Sequence, residues 1–462
     1  MDWLRSSASR CPDAPALVCG KEVVSYAALD TAAGEVASRL AASGVSPGDR
    51  VALRADGTAG TVATLWGVPR AGAAAVVLSP RLPPAQAAAR AQAAGVRAVW
   101  GRGPGFDLPG EGPRRVLPGD AGGPPQEGAR FVVFTSGTSG GARPVVLTGA
   151  NLAASAAASQ ARLGNGPGDS WLCVLPLDHV GGLSILWRSA REGGTVVLEE
   201  SFDVSRAAAL LASGTLTYAS LVPTMLRRIL EEHPGPFPGL RGVLVGGGPA
   251  DPALLAAARL AGLPAFQTYG MTETASQVAT EAPGEAGGRP GSAGRPLEGF
   301  EVRVVDGDGR PLSPGGLGRL EVRGPAVSPG YLGEAERPPG AWFRTGDYGR
   351  VDGDGYLFIA GRADAVIVSG GENVHPDEVE AVLREHPGVA DARVYGEDDA
   401  EWGRRVVAEV AAASPGGLDL AALEAFARAR LAPHQVPRRW AVVGEVGRSE
   451  LGKPARPPGL PG

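Results

Sequence analysis

The chain has 462 residues, 44% hydrophobic and 20% charged, with a formal net charge of -5. It is therefore long enough for a large core in more than one domain and compositionally ordinary for a globular enzyme. The charge excludes a basic nucleic-acid surface, no apolar run reaches the roughly 18 residues of a membrane span, and the first residues lack a signal-peptide core, so a cytoplasmic protein is expected. The 70 glycines and 41 prolines are spread among apolar segments and read as loops. Three cysteines, Cys11, Cys19 and Cys173, include no C-x-x-C pair. They suggest neither a disulfide framework nor a zinc site, and Cys173 reads as a buried strand residue.

Residues 23–100 alternate alanine-rich helical segments, such as 26–42 and 85–94, with short strands at 50–54 and 73–78, the pattern of parallel α/β architecture. Residues 101–129, rich in Gly and Pro, are expected to form a long surface connection. Then comes FVVFTSGTSGGARPVVL, residues 131–147. It reads as strand, loop, strand, with Thr135, Ser136, Thr138 and Ser139 supplying hydroxyls while Gly137, Gly140 and Gly141 leave backbone N–H groups free to converge on a polyanion. Two other readings compete. The run fits G-x-S-x-G, but a nucleophile elbow needs a helix after its serine, and here a second apolar run follows. A flexible surface loop is the plainer alternative. A Walker A loop is excluded, because no Gly-Lys-Ser/Thr closes the run.

Asn151 is expected to cap a helix reaching Leu163, and the strand 171–175 ends at Pro-Leu-Asp-His-Val-Gly-Gly, residues 176–182. His179 thus stands where ligands sit in α/β folds, though it could equally be a satisfied loop residue. Strands follow at 194–198, 217–221 and 242–245. The last runs into Gly246, Gly247 and Gly248, which is not a dinucleotide fingerprint but would let a flat ring approach the backbone before a helix from Pro252. Strand 265–268 leads into Tyr269, Gly270, Met271, Thr272, Glu273, Thr274, Ala275 and Ser276. An aromatic face, a hydroxyl and a carboxylate there suit a nucleotide ring, a phosphate and a magnesium ion. On composition alone, Thr272 and Glu273 could instead open a helix.

From 291 to 361 short β-rich pieces suggest a small antiparallel barrel, carrying Asp347 and Arg362 beside glycines on turns. Beyond Asp364 the pattern resets into a compact α+β unit. It has a strand at 365–369, Gly370-Gly371-Glu372-Asn373, a helix at 376–386, strands near 392 and 406, a helix at 418–431 and a strand at 439–443. Near its end, Lys453 lies between Gly452 and Pro454; alone it would read as solvated surface.

Together and in this order, these segments resemble the adenylate-forming superfamily of acyl-CoA synthetases, aryl-CoA ligases and adenylation domains. The resemblance covers nearly the whole chain. Residues 220–226 (SLVPTML), 245–250 (VGGGPA) and 269–277, with the short overall length, are most similar to the o-succinylbenzoate-CoA ligases of menaquinone biosynthesis. What the resemblance implies is an α/β fold with a large N-terminal domain (1–363) of α/β layers plus the small barrel, and a mobile α+β C-terminal domain (364–462). It implies an acid-CoA ligase acting on a carboxylic acid, ATP and coenzyme A with Mg2+, and it leaves a homodimer open. The alternatives are another aryl- or acyl-CoA ligase, or an adenylation module loading a carrier protein, although no carrier-type domain is attached.

Residue by residue, the resemblance makes 135–141 the phosphate loop, sets Thr272 on the α-phosphate and assigns Glu273 to magnesium. Tyr269 and Gly270 would lie with Gly246 to Gly248 at the adenine, and Asp347 and Arg362 would hold the ribose. Asp364 would be the hinge, Lys453 the lysine of adenylation, His179 and Ser276 part of the acyl pocket, and Gly370 and Gly371 the coenzyme A face. One departure stands out. The family loop usually continues Gly-Lys-Pro-Lys, whereas this chain has Gly140-Gly141-Ala142-Arg143, so one lysine is absent and Arg143 stands for the other.

Overall fold

The computed structural model describes residues 2–101, 113–115, 128–135, 142–362, 365–369, 372–399, 402–414 and 417–447. Ser136 to Gly141, Asp364, Gly370, Gly371 and Lys453 lie outside the described residues.

Two large sheets dominate. One has seven strands in the order Gly330–Tyr331, Pro144–Thr148, Ala129–Phe134, Ala74–Leu78, Arg50–Arg54, Ala98–Trp100, Pro113–Arg115. Its central pairings are parallel and its edges antiparallel. The other has nine strands, running Arg295–Pro296, Ser276–Thr280, Ala265–Met271, Gly242–Val245, Tyr218–Leu221, Ser170–Cys173, Thr195–Leu198, Pro15–Cys19, Glu22–Ser25. Six neighbouring strands there are parallel, again with antiparallel edges.

Strand periodicity explains how the sheets stack. Val51, Leu53, Phe131 and Val133 of the first sheet share one core with Trp171, Cys173, Val196 and Tyr218 of the second. Their alternate neighbours, Ala52, Val132 and Phe134 on one sheet and Leu172, Ala219 and Val243 on the other, enter two separate outer cores. The central strands are thus buried on both faces, which is why they read as continuous apolar runs. The helices Tyr26–Ala42, Ala59–Arg70, Gly149–Leu163 and Val180–Glu192 contribute to the shared core and so lie between the sheets.

Several expectations hold to the residue. Helix Tyr26–Ala42 starts after Ser25, whose side chain accepts from the Ala28 N–H, and strands Arg50–Arg54 and Gly242–Val245 and the helix beginning at Pro252 fall where they were expected. Others need correction. Asn151 is not the cap: Thr148 is, and Asn151 sits three residues in, its side chain accepting from the Thr148 N–H in a capping box. The connection 101–129 contains a strand, Pro113–Arg115, antiparallel to Ala98–Trp100. Thr272 and Glu273 open no α-helix. The strand Ala265–Met271 runs on through Tyr269, makes one 3-10 turn at Thr272–Thr274, and returns as Ser276–Thr280.

The β-rich region forms a four-stranded antiparallel sheet in the order Glu301–Val305, Gly318–Arg323, Phe343–Val351, Leu357–Arg362. Ala293 and Gly294 wrap onto its far edge by exchanging backbone bonds with Leu357. A fourth, five-stranded sheet holds Ile367–Ser369, Glu372–Val374, Val389–Asp399, Gly403–Ala412 and Arg439–Val443 around its own core. The strand Glu372–Val374 replaces an expected loop. No helix among the described residues is long and apolar enough to cross a membrane.

Candidate active site

The candidate residues gather beyond the carboxyl ends of the parallel strands, the usual ligand address of such sheets. Strand Ala129–Phe134 delivers Thr135, and the chain re-enters at Arg143. Thr135 N–H donates to the Arg143 carbonyl at 3.0 Å and Arg143 N–H to the Thr135 hydroxyl at 3.2 Å, closing the neck of the loop. The Arg143 side chain lies across Tyr331, its Cζ 3.3 Å from the ring centroid, and its Nη2 donates to Glu334 Oε1 at 2.7 Å. Burial opposes the Arg143 charge, but the Glu334 bond and the nearby Tyr331, Glu334 and Glu273 raise its pKa overall.

Parallel pairing sets Val245 beside Gln267, so Gly246 meets Thr268 and the glycine run lies next to Tyr269. A Cβ on Gly246 would stand 2.8 Å from the Thr268 methyl, whereas one on Gly248 would meet nothing within 4 Å. The backbone there is open to a flat ring. Gly270 has a different necessity: a Cβ would fall 1.8 Å from the Ser276 carbonyl oxygen, so only glycine lets the hairpin close.

Tyr269, Asp347 and Arg362 come together from three strands. The Tyr269 hydroxyl donates to Asp347 Oδ2 at 2.6 Å, and Arg362 Nη1 reaches Asp347 Oδ1 at 3.3 Å. Asp347 is buried and its own N–H is held by the Thr345 hydroxyl. Burial, then the Asp347 charge and bond, raise the Tyr269 phenol well above its ordinary pKa, so it stays a donor.

Glu273 stands on the 3-10 turn, its carbonyl accepting from Ser328 N–H at 2.7 Å and its Oε1 from the Tyr331 hydroxyl at 2.7 Å. Among the described residues no group of three or more His, Cys, Asp or Glu could hold a metal. An all-protein cage is therefore absent there, but one carboxylate oriented by a tyrosine suits Mg2+, which usually takes one or two carboxylates and completes its shell with substrate phosphates and water.

Ser276 pairs across the hairpin with Met271, the neighbour of Thr272. It has φ 113° and follows Ala275 at φ 52°, two non-glycine residues in the left-handed half of backbone space. Such strain persists where surrounding contacts enforce it. The Ser276 hydroxyl accepts from Arg188 Nη2 at 2.9 Å and from the Ser184 hydroxyl at 3.2 Å. Ser184 and Arg188 are one turn apart on the helix that His179 begins, and so share a face. His179 itself has Nε2 3.7 Å from Asp178 Oδ2.

Arg188 was not singled out from the sequence. It is 2% exposed, forms no ion pair among the described residues, and has Nε buried without a hydrogen-bond partner. Its Cζ lies 5.5 Å from the Trp171 ring centroid, and burial lowers its pKa to about 9. A buried cation without a counter-charge is costly and calls for an anionic guest. The available signal was its setting: an arginine in the middle of Leu-Ser-Ile-Leu-Trp-Arg-Ser, an otherwise apolar helical stretch four residues beyond Ser184.

Comparison with known proteins shows the family. Residues 4–332 match the AMP-binding enzyme family and residues 378–453 its C-terminal domain, the latter match ending at Lys453. The chain is 37% identical over 473 residues to a 2-succinylbenzoate–CoA ligase of Geobacillus kaustophilus, covering 98% of this chain and 96% of the relative. It is similar in structure to the o-succinylbenzoate CoA synthetase of Bacillus subtilis in complex with its acyl-adenylate intermediate, with TM-score 0.88, 32% identity, and 98% and 96% of the two chains covered. The same Bacillus subtilis enzyme with ATP and magnesium ion aligns with TM-score 0.87 and 32% identity, covering 98% of each chain.

Proposed function

The chain belongs to the AMP-binding enzyme family, and from that premise we propose that it is an ATP-dependent acid-CoA ligase whose acid is 2-succinylbenzoate. It uses ATP and coenzyme A as substrates with Mg2+. The observation that carries the choice of acid is Arg188. Of the two carboxylates of 2-succinylbenzoate one is activated, and the other needs a buried cation, which Arg188 supplies beside Ser276 and Ser184.

In the first step an oxygen of the acid carboxylate attacks the α-phosphorus of ATP, an O–P bond forms, and pyrophosphate leaves with the electrons of the broken bond. In the second, the coenzyme A sulfur attacks the acyl carbon, AMP departs, and the thiol proton is released. No protein nucleophile is required; both steps need charge stabilisation and positioning. Thr272 donates to the α-phosphate, the 135–141 loop holds the β- and γ-phosphates, and Glu273 holds magnesium, which when bound neutralises phosphate charge. Tyr269 lies against adenine near Gly246 to Gly248, and Asp347 accepts from the ribose hydroxyls with Arg362 fixing its orientation. His179 and Ser276 line the acid side.

Lys453 completes the adenylation arrangement from the C-terminal domain, 364–462. Turning about Asp364 exchanges it for the Gly370–Gly371 face that admits coenzyme A. A cation about 4 Å from a developing charge contributes on the order of 4 kcal/mol at an effective dielectric of 20, so Lys453 governs the first step.

The test is pyrophosphate release over a panel of carboxylic acids, with and without coenzyme A. Release with 2-succinylbenzoate and turnover to thioester on adding coenzyme A supports the assignment. Release only with fatty acids, or with no acid, overturns it.

A further inference from the structure

We propose that Tyr331 is a positioning residue for the nucleotide phosphates, tying Arg143, at the neck of the loop, to the carboxylate Glu273. This rests on the reading of 135–141 as a phosphate loop and of Glu273 as the magnesium-binding group.

The geometry is produced by one short strand. Gly330 and Tyr331 pair antiparallel with Val146 and Val145, so Tyr331 lies opposite Val145 and Arg143 is its diagonal neighbour. Diagonal neighbours stand about 7–8 Å apart, within reach of a long side chain. The Arg143 base is fixed by its two bonds with Thr135, and its guanidinium lies flat on the tyrosine, Cζ 3.3 Å from the centroid. The other end of the ring is committed elsewhere: the hydroxyl donates to Glu273 Oε1 at 2.7 Å. Ser328, three residues earlier, donates to the Glu273 carbonyl, so one segment holds that residue by backbone and side chain. A lysine could not stack in this way, because only the planar guanidinium offers a face to the ring. The arginine that departs from the family pattern thus comes with its own support.

Glu334 completes the device. Its N–H donates to the Tyr331 carbonyl at 3.1 Å, a turn that carries its carboxylate onto Arg143 Nη2. Both side chains are about half exposed, 50% and 54%, and exposed pairs of this kind are weak. A phosphate can displace Glu334 while the tyrosine ring keeps Arg143 in place.

The experiment measures ATP binding by calorimetry without acid, so that no turnover occurs, with and without MgCl2. For Tyr331→Phe, ATP binding without Mg2+ stays within about twofold of the parent while the gain on adding Mg2+ falls about tenfold, the scale of one hydrogen bond to a charged group. For Tyr331→Leu the Mg2+-independent affinity falls as well, and Arg143→Ala reproduces that second loss with the ring intact should the leucine variant fail to fold. For Glu334→Gln, ATP binds more tightly. The inference is overturned if Tyr331→Phe keeps the full Mg2+ gain, or if Arg143→Ala binds ATP without Mg2+ as the parent does. If the parent binds no ATP at all, the functional reading itself falls.

Discussion

The Arg188 guanidinium donates to the Ser276 hydroxyl at 2.9 Å and meets no acidic side chain among the described residues. A cation buried for a guest should be dispensable to the fold and indispensable to the guest. Arg188→Leu is expected to lower kcat/KM for 2-succinylbenzoate by about 30- to 5,000-fold, the range for losing one partner of a buried charge pair. Melting temperature should stay level or rise, because apolar replacement of buried charge is often neutral or stabilising. Steady-state kinetics and thermal melts on one preparation check both halves.

Asp347, itself buried, gathers the Tyr269 hydroxyl and the half-exposed Arg362 guanidinium in one row. Asp347→Ala is expected to raise the KM for ATP by about 10- to 100-fold, the worth of hydrogen bonds to a charged group, while the KM for the acid moves less than twofold. A comparable rise in both constants would mean that the row serves the fold rather than the nucleotide.

These residues show what could be seen in advance. Tyr269, Asp347 and Arg362 could be singled out because each stands beside a glycine, although the structure sets Asp347 inside the strand Phe343–Val351 and Arg362 at the end of Leu357–Arg362 rather than on turns. Helix Tyr26–Ala42 was legible because a serine cap precedes an alanine-rich run. The hairpin after Tyr269 was left open, since Thr and Glu also suit a helix start, and the Gly270–Ser276 approach reveals the reversal. Asn151 was misassigned because Thr148 and Asn151 are both competent caps and a reciprocal box uses each. Arg188 and Tyr331 escaped notice because their meaning lies in partners 88 and 58 positions away; an apolar helical setting marks Arg188 as unusual but does not name its partner.

His375 packs its imidazole 5.0 Å from the Tyr348 ring, at the junction of the four-stranded sheet with the C-terminal unit, and its Nδ1 is buried without a partner. Burial lowers its pKa from the ordinary 6.5. The unfolded chain therefore takes up the proton first: the stability His375 contributes is complete above pH 6.5 and is lost as pH falls through the folded value. His375→Phe should lose less melting temperature than the parent between pH 7.5 and 5.5. Equal losses would remove His375 from the acid response.

In the proposed two-step scheme Lys453 is assigned to adenylation alone. Lys453→Ala is expected to reduce acyl-adenylate formation by about three orders of magnitude, the equivalent of roughly 4 kcal/mol. Conversion of supplied acyl-adenylate to thioester should persist. Rapid-quench measurement of each half-reaction checks this, and equal loss in both would contradict the exchange of Lys453 for the Gly370–Gly371 face.

The most direct measurement compares kcat/KM of the unaltered protein for 2-succinylbenzoate with that for the same acid lacking the carboxylate that is not adenylated. With Arg188 waiting buried for that second carboxylate, the diacid should be preferred by at least about 30-fold, and Arg188→Leu should abolish the preference. Equal kcat/KM for diacid and mono-acid in the unaltered protein would contradict the assignment.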